Sequence, residues 1–284
     1  MKAPSLRIGE NDPGYYYDRT VYAGQHGEIR LSRSVESCCS SCPSKGRQPF
    51  QYLDENQEPR NCPCFSYRKR ISAIYSLFSS SDIPQRYRFK FQDDFLTSNE
   101  NGETIPGAEY AKNILYGVLH RVIGDHKENR SRTGQKGFYL WGDPGNGKTL
   151  LSCIALNELM FHTAIKGKFI DISRGFFQTL RSTFDENSRL HGQSNLIVSQ
   201  LGKVPYLVID DFGIQRNTEW EEETLYNLID ERYVEEKLTF ITSNKSPDDI
   251  KDVAQGRIYS RINEMCFTVH ITSPDYRAKD AVSM

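Results

Sequence analysis

Gly142-Asp143-Pro144-Gly145-Asn146-Gly147-Lys148-Thr149 fits GxxxxGK[ST] at every fixed position. No other stretch of the 284 residues limits the fold as strongly. The pattern works only where an apolar strand ends and a helix begins. Gly137–Trp141 (GFYLW) supplies such a strand, and a helical pattern runs from Lys148 to about Thr163. The glycines let backbone N–H groups wrap an anion, and the helix N-terminus adds a positive dipole end. Gly142, Asp143, Pro144, Gly145, Asn146, Gly147, Lys148, Thr149 and Leu150 are therefore the expected nucleotide-binding residues. Lys148 would reach the β/γ-phosphates of ATP, and the Thr149 hydroxyl would ligate Mg²⁺.

Such a site needs a second half, an apolar strand ending in acids. Leu207-Val208-Ile209-Asp210-Asp211 provides it. Asp210 is expected to hold Mg²⁺ through water, and Asp211 to orient or deprotonate the attacking water. Asp211-Phe212-Gly213 also spells a kinase motif, but the catalytic and Gly-rich loops of kinases are missing from the sequence. The next apolar strand ends Thr242-Ser243-Asn244. Ligands bind at the carboxyl ends of parallel strands, which makes Asn244 a candidate for positioning water. An asparagine capping the turn before Lys245-Ser246-Pro247 would look the same.

Around these motifs, strands and helices alternate. Strands are expected at 137–141, 168–172, 206–210, 238–242 and 268–271. Helices are expected at 107–123, 148–163, 176–184 and 219–234. Alternation of this kind implies an α/β fold, a parallel sheet flanked by helices on both faces. No internal repeat is visible. Upstream, residues 1–36 are polar and lack periodicity. Residues 66–78 have helical apolar spacing after a basic start, and Ser79 to Pro84 reads as a linker. The expected domains are an N-terminal region (1–78), a linker (79–85) and a catalytic domain (86–284). Residues 1–90 carry 14 Lys and Arg against 9 Asp and Glu, so a near-neutral whole hides a mildly basic front part. That permits anionic partners without requiring them.

Five of the seven cysteines lie between 38 and 64. Cys39-x₂-Cys42 and Cys62-x-Cys64 are separated by 19 residues. Paired thiolates on two tight knuckles can close a tetrahedral zinc site. Clustering in a cytosolic chain favours metal over disulfides. Cys38 could replace Cys39. A closed four-cysteine set has no open position, so this zinc would be structural. Cys153 and Cys266 are expected in the core. No apolar run of about 18 residues spans a membrane and the N-terminus has no apolar leader, so the cytosol is the expected compartment.

With these residues in view, the chain resembles the bacterial DnaC/DnaI replicative helicase loaders. It is similar also to their sister group, the IstB transposition ATPases. The likeness runs from about residue 83 to 277 and rests on several segments. These are IPQRYR, the phosphate loop, IDDFG, TEWEEETLYNLIDERY, ITSN, GRIYSRINEMC and SPDYR. The resemblance implies a P-loop AAA+ ATPase fold. Met284 follows soon after Arg277, so no full helical lid is expected. It further implies that Arg261 is an arginine finger acting on ATP in a neighbouring subunit, with Arg257 a nearby candidate. Arg277 matches the sensor-2 arginine. Self-association through composite ATP sites would follow, in a bacterial or phage-infected cell. The implied function is ATP-dependent loading of a replicative helicase, a DnaB-type hexamer, onto single-stranded DNA, with the cysteine module docking on the helicase. Lys166, Lys168, Arg174 and Arg181 are the candidate cations for DNA, with Phe176 or Phe177 as a stacking platform. An IstB-like regulator of transposition and a nucleotide-switched adaptor with negligible turnover are the alternatives. The Asp-Asp pair in place of the usual Asp-Glu predicts slow hydrolysis.

Overall fold

The computed structural model describes residues 51–61, 73–74, 76–99, 101–131, 134–213, 218–251 and 253–276, and four short strands between 15 and 35. Cys38, Cys39, Cys42, Cys62, Cys64 and Arg277 lie outside the described residues, as does the Arg174 side chain. Among the described residues, no helix is long and apolar enough to cross a membrane.

Five parallel strands form the central sheet: β1 (Gly137–Trp141), β2 (Gly167–Asp171), β3 (Tyr206–Phe212), β4 (Leu238–Ser243) and β5 (Cys266–His270). Their spatial order is β5-β1-β4-β3-β2. Helices flank it, among the described residues α1 (Pro106–Lys127), α2 (Lys148–Thr163), α3 (Phe177–Ser182), α4 (Ser194–Lys203), α5 (Glu219–Val234) and α6 (Arg257–Met265). The period of two along each strand divides the core. Phe138, Leu140, Val208 and Phe240 point into one cluster with α1 and α2. Tyr139, Leu207, Ile209 and Ile241 point into the other, with residues of α3, α4, α5 and α6. Both faces are thus covered, which is why the strands read as continuous apolar runs. The Thr218 side chain accepts from the Glu221 N–H and starts α5, whose first turn holds Glu219, Glu221 and Glu222 against the positive dipole end.

The residues that the sequence presents as a linker are packed here. Ile74, Phe78 and Ile83 are buried in the α1/α2 cluster, and Ser81 is buried too. The Phe169 N–H donates to the Ser81 carbonyl at 2.8 Å, which covers the outer edge of β2. Residues 87–95 continue over α2, held by the Asn157 side-chain amide donating to the carbonyls of Tyr87 (2.9 Å) and Lys90 (2.8 Å).

Candidate active site

The loop between β1 and α2 is confined by its neighbours. Gly145 has φ +85°, and a Cβ there would lie 1.9 Å from an Asp275 carboxylate oxygen. Gly147 has φ +89°, and its Cβ would lie 2.8 Å from the Phe95 ring. Only glycine fits either position. Asn146 is buried; its amide donates to the Ile271 carbonyl at 2.7 Å and its Oδ1 accepts from Lys148 Nζ at 3.1 Å. Lys148 Nζ also donates to the carbonyls of Gly142 (2.8 Å) and Asp143 (2.7 Å), so its ammonium sits inside the loop. The Tyr276 N–H donates to the Gly145 carbonyl at 3.1 Å, and its hydroxyl donates to the Leu96 carbonyl at 3.0 Å.

Opposite the loop, β3 delivers its acids. Thr149 Oγ1 lies 3.0 and 3.1 Å from the two Asp210 carboxylate oxygens. Burial pushes the Asp210 carboxyl up to about 6. The Thr242 hydroxyl bond pulls it down, and the Asp211 charge pushes it up again. A hydroxyl beside a carboxylate is a hard oxygen donor set that suits Mg²⁺. Asp211 has φ +56°, in the left-handed region. The strand register slips there: Ile241 faces Ile209, but Ser243 faces Phe212. One extra residue on β3 makes a bulge that re-aims the side chain. Carboxylate oxygens of Asp210, Asp211 and Asp171, from the end of β2, come within 4.8 Å of one another. Ser173 Oγ lies 2.7 Å from Asp171 Oδ1 and 3.2 Å from Asp211 Oδ2, on a π-helical turn Ile172–Phe176.

A cavity of about 510 Å³ opens over residues 144–150. Asp211 and Asn244 line it too, as do Arg86, Lys90 and Phe95. The fold therefore gathers Lys148, Thr149, Asp210, Asp211 and Asn244 at one edge. Arg261 lies elsewhere. Its guanidinium on α6 pairs with Asp230 of α5, donates to the Tyr226 hydroxyl at 3.0 Å and stacks over the Tyr226 ring. Arg257 lies over the same ring, 4.3 Å from its centre. Phe176 and Phe177 are both buried, so neither is a surface stacking platform. Arg181 pairs with the buried Glu221, and Lys168 pairs with Asp82 at 2.5 Å. Cys153 and Cys266 are buried, as expected.

Sequence reasoning passed over Asp171, Ser173, Thr242 and the wall formed by Arg86, Lys90 and Phe95. Asp171 was readable, since KFID is an apolar strand ending in an acid beside the strand of Asp210. The others depend on contacts between distant segments.

A family model described as "IstB-like ATP binding protein" matches residues 131–283. The chain is 25% identical over 212 residues to YqaM of Bacillus subtilis (strain 168), covering 73% of this chain and 61% of that protein. It is 28% identical over 136 residues to the replicative helicase loader DnaI of the same organism, covering 47% of this chain and 42% of that one. It thus spans less than two thirds of either relative. The crystal structure of the DnaC helicase loader superposes with a TM-score of 0.53 at 25% identity, over 66% of this chain and 100% of that one. The five-stranded parallel sheet flanked by helices is that of a P-loop AAA+ fold. By the match over more than half its length, the chain belongs to the IstB-like ATP-binding protein family.

Proposed function

We propose that this protein is an ATP-dependent loader of a replicative DNA helicase onto single-stranded DNA, acting when replication starts. The observation that carries this reading is the meeting of Thr149 with Asp210 beside Lys148, in a chain similar to two helicase loaders. In this reading the residues 142–150 hold the phosphates of ATP, and Lys148 turns from the loop carbonyls to the β/γ-phosphates. Thr149 and Asp210 would hold Mg²⁺, which when bound offsets the phosphate charge. Asp211 takes the proton of the attacking water, and Asn244 orients that water. Arg261 of an adjoining subunit and Arg277 stabilise the charge developing on the transferred phosphoryl group. The site is then complete only in an assembly. The helicase partner would be a DnaB-type hexamer in the cytoplasm, and exposed Lys166 is the remaining described lysine for single-stranded DNA.

Zinc belongs to the same proposal, on Cys42, Cys62, Cys64 and either Cys39 or Cys38. Within the spacer between the two pairs, residues 51–61 fold back as a hairpin in which Gln51 pairs with Asn61, directly before Cys62. Metal analysis of protein purified without chelators should then give about one zinc per chain.

Native mass spectrometry with the host's replicative helicase, with and without ATP, tests the loader reading. A defined complex with the hexamer is expected. The match to an IstB-like ATP-binding protein model keeps a second reading open, that of the IstB resemblance, an ATPase that regulates transposition. No helicase complex, together with filaments on duplex DNA, would establish that one instead. Turnover is tested separately with Lys148→Ala, which should lower phosphate release by about 100-fold or more. Equal release from both proteins would leave a nucleotide-switched adaptor and end the enzyme reading.

A further inference from the structure

We propose that Thr242 is the positioning residue that makes Asp210 and Asp211 converge on one site. The inference rests on reading that site as a Mg²⁺–ATP site. Adjacent residues of a regular strand point to opposite faces of the sheet. Asp210 and Asp211 are adjacent, yet their carboxylates come together with that of Asp171. The bulge on β3 is what permits this, and Thr242 is the residue of β4 that faces it.

Thr242 is fully buried, and its hydroxyl is committed in both directions. Its proton goes to Asp210 Oδ1. Its oxygen accepts the Asp211 N–H at 3.1 Å, a backbone donor that the slipped register removes from the strand ladder. One hydroxyl therefore orients the first acid directly and holds the backbone of the second in its left-handed conformation. Ser243 acts one step further on. Its hydroxyl donates to the Phe212 carbonyl at 2.6 Å and touches neither acid. The two neighbouring hydroxyls thus separate two roles, one in closing the bulge and one in aiming the acids.

That separation sets the test. ATP binding is measured over a range of Mg²⁺ concentrations and again with excess chelator, alongside thermal melting and turnover. Thr242→Val keeps the shape and loses the hydroxyl. It should raise the Mg²⁺ concentration needed for half-maximal ATP binding about 10-fold or more, as loss of a partner behind a metal ligand commonly does. ATP affinity in chelator should stay within about two-fold of wild type, because the loop residues are untouched. Thr242→Ser should restore the Mg²⁺ response, whereas Ser243→Ala should lower the melting temperature and leave the Mg²⁺ response as in wild type. If the valine variant does not fold, Thr242→Ala is read against Thr242→Ser in the same way. A Mg²⁺ response in Thr242→Val equal to wild type, or a Thr242→Ser variant that is as impaired, overturns the assignment. Wild-type binding that ignores Mg²⁺ overturns the reading of the site itself.

Discussion

The two ends of the sheet each bury a charge, and they treat it in opposite ways. At the amino ends of β3 and β4, Arg232 is 0% exposed and makes five hydrogen bonds. Four go to the carbonyls of Leu201, Gly202, Val204 and Leu238, and one to the Thr239 hydroxyl. The carbonyls at the end of α4 are the negative pole of that helix, which suits a cation. Burial pulls the Arg232 guanidinium down to about 9, so it still carries its charge at neutral pH. At the carboxyl ends, Asp210 is nearly as buried but meets two hydroxyls and two further carboxylates, those of Asp211 and Asp171. Its charge is under-compensated by the chain. One end spends its polar groups on holding helix to strand. The other leaves an acid in want of a cation and surrounds it with a bulge, a π-helical turn and a residue at positive φ. Strain of this kind gathers where chemistry is done.

The contrast is broken most severely from the stable end. Arg232→Met should destabilise the fold by roughly 3–5 kcal/mol, because it strands several carbonyls that the buried guanidinium now satisfies. Urea unfolding reads this directly. ATP affinity of the folded protein should stay within about two-fold of wild type, since no Arg232 partner touches the loop. A stable variant would mean the carbonyls find other donors.

The opposite sign is expected at the other end. The Asp210 carboxyl sits at about 6 in the fold against an ordinary 3.8. Between those values the folded chain holds a proton that the unfolded chain has lost. Stability of the metal-free protein therefore falls as pH rises through this window and stays lower above about 6. Asp210→Asn should flatten that slope and stabilise the protein by on the order of 2 kcal/mol at pH 8 in chelator, while removing turnover. Unfolding curves at pH 5 and pH 8 decide it; equal slopes in both proteins would show that Asp210 is ionised throughout.

The same contrast explains what could be read from the sequence. The stable architecture was legible because it rests on local periodicity. Lys148–Thr163 and Glu219–Val234 follow from apolar spacing and from the glycine loop and threonine cap that start them. The strands follow from their apolar runs. Two helices were passed over because they are short, ten residues in α4 and nine in α6, although Ile258 and Ile262 of α6 stand at helical spacing and are both buried. The phosphate loop was legible because glycine is forced by Asp275 and Phe95 pressing on it, and the motif records that pressure. The acid pair was legible only as residue types. Nothing in Asp210-Asp211 announces that β3 carries an extra residue there, because the slip exists only against β4. Ile83 was masked by its serine neighbours, whose polarity suggests solvent although Ser81 satisfies its hydroxyl on the Phe78 carbonyl at 2.8 Å.

The smallest expected effect on the isolated chain sharpens the comparison by adding a third region, the α5–α6 surface. Arg261 there is 22% exposed and Asp230 33%, so their ion pair is partly solvated. Arg261→Ala should cost the fold less than about 1 kcal/mol, against several for Arg232. ATP affinity of dilute protein should not change, because Arg261 lies on helix α6 away from its own phosphate loop. If Arg261 completes the site of an adjoining subunit, turnover per chain in the wild type rises as protein concentration favours assembly. In Arg261→Ala the rise disappears while assembly itself persists. Lys in place of Arg keeps the charge but not the planar fork, and should recover little of the rise. Turnover and light scattering measured over the same concentration series separate the two effects. A variant whose rate still climbs with assembly would return Arg261 to the role that its contacts with Asp230 and Tyr226 already give it, that of a pin between α5 and α6.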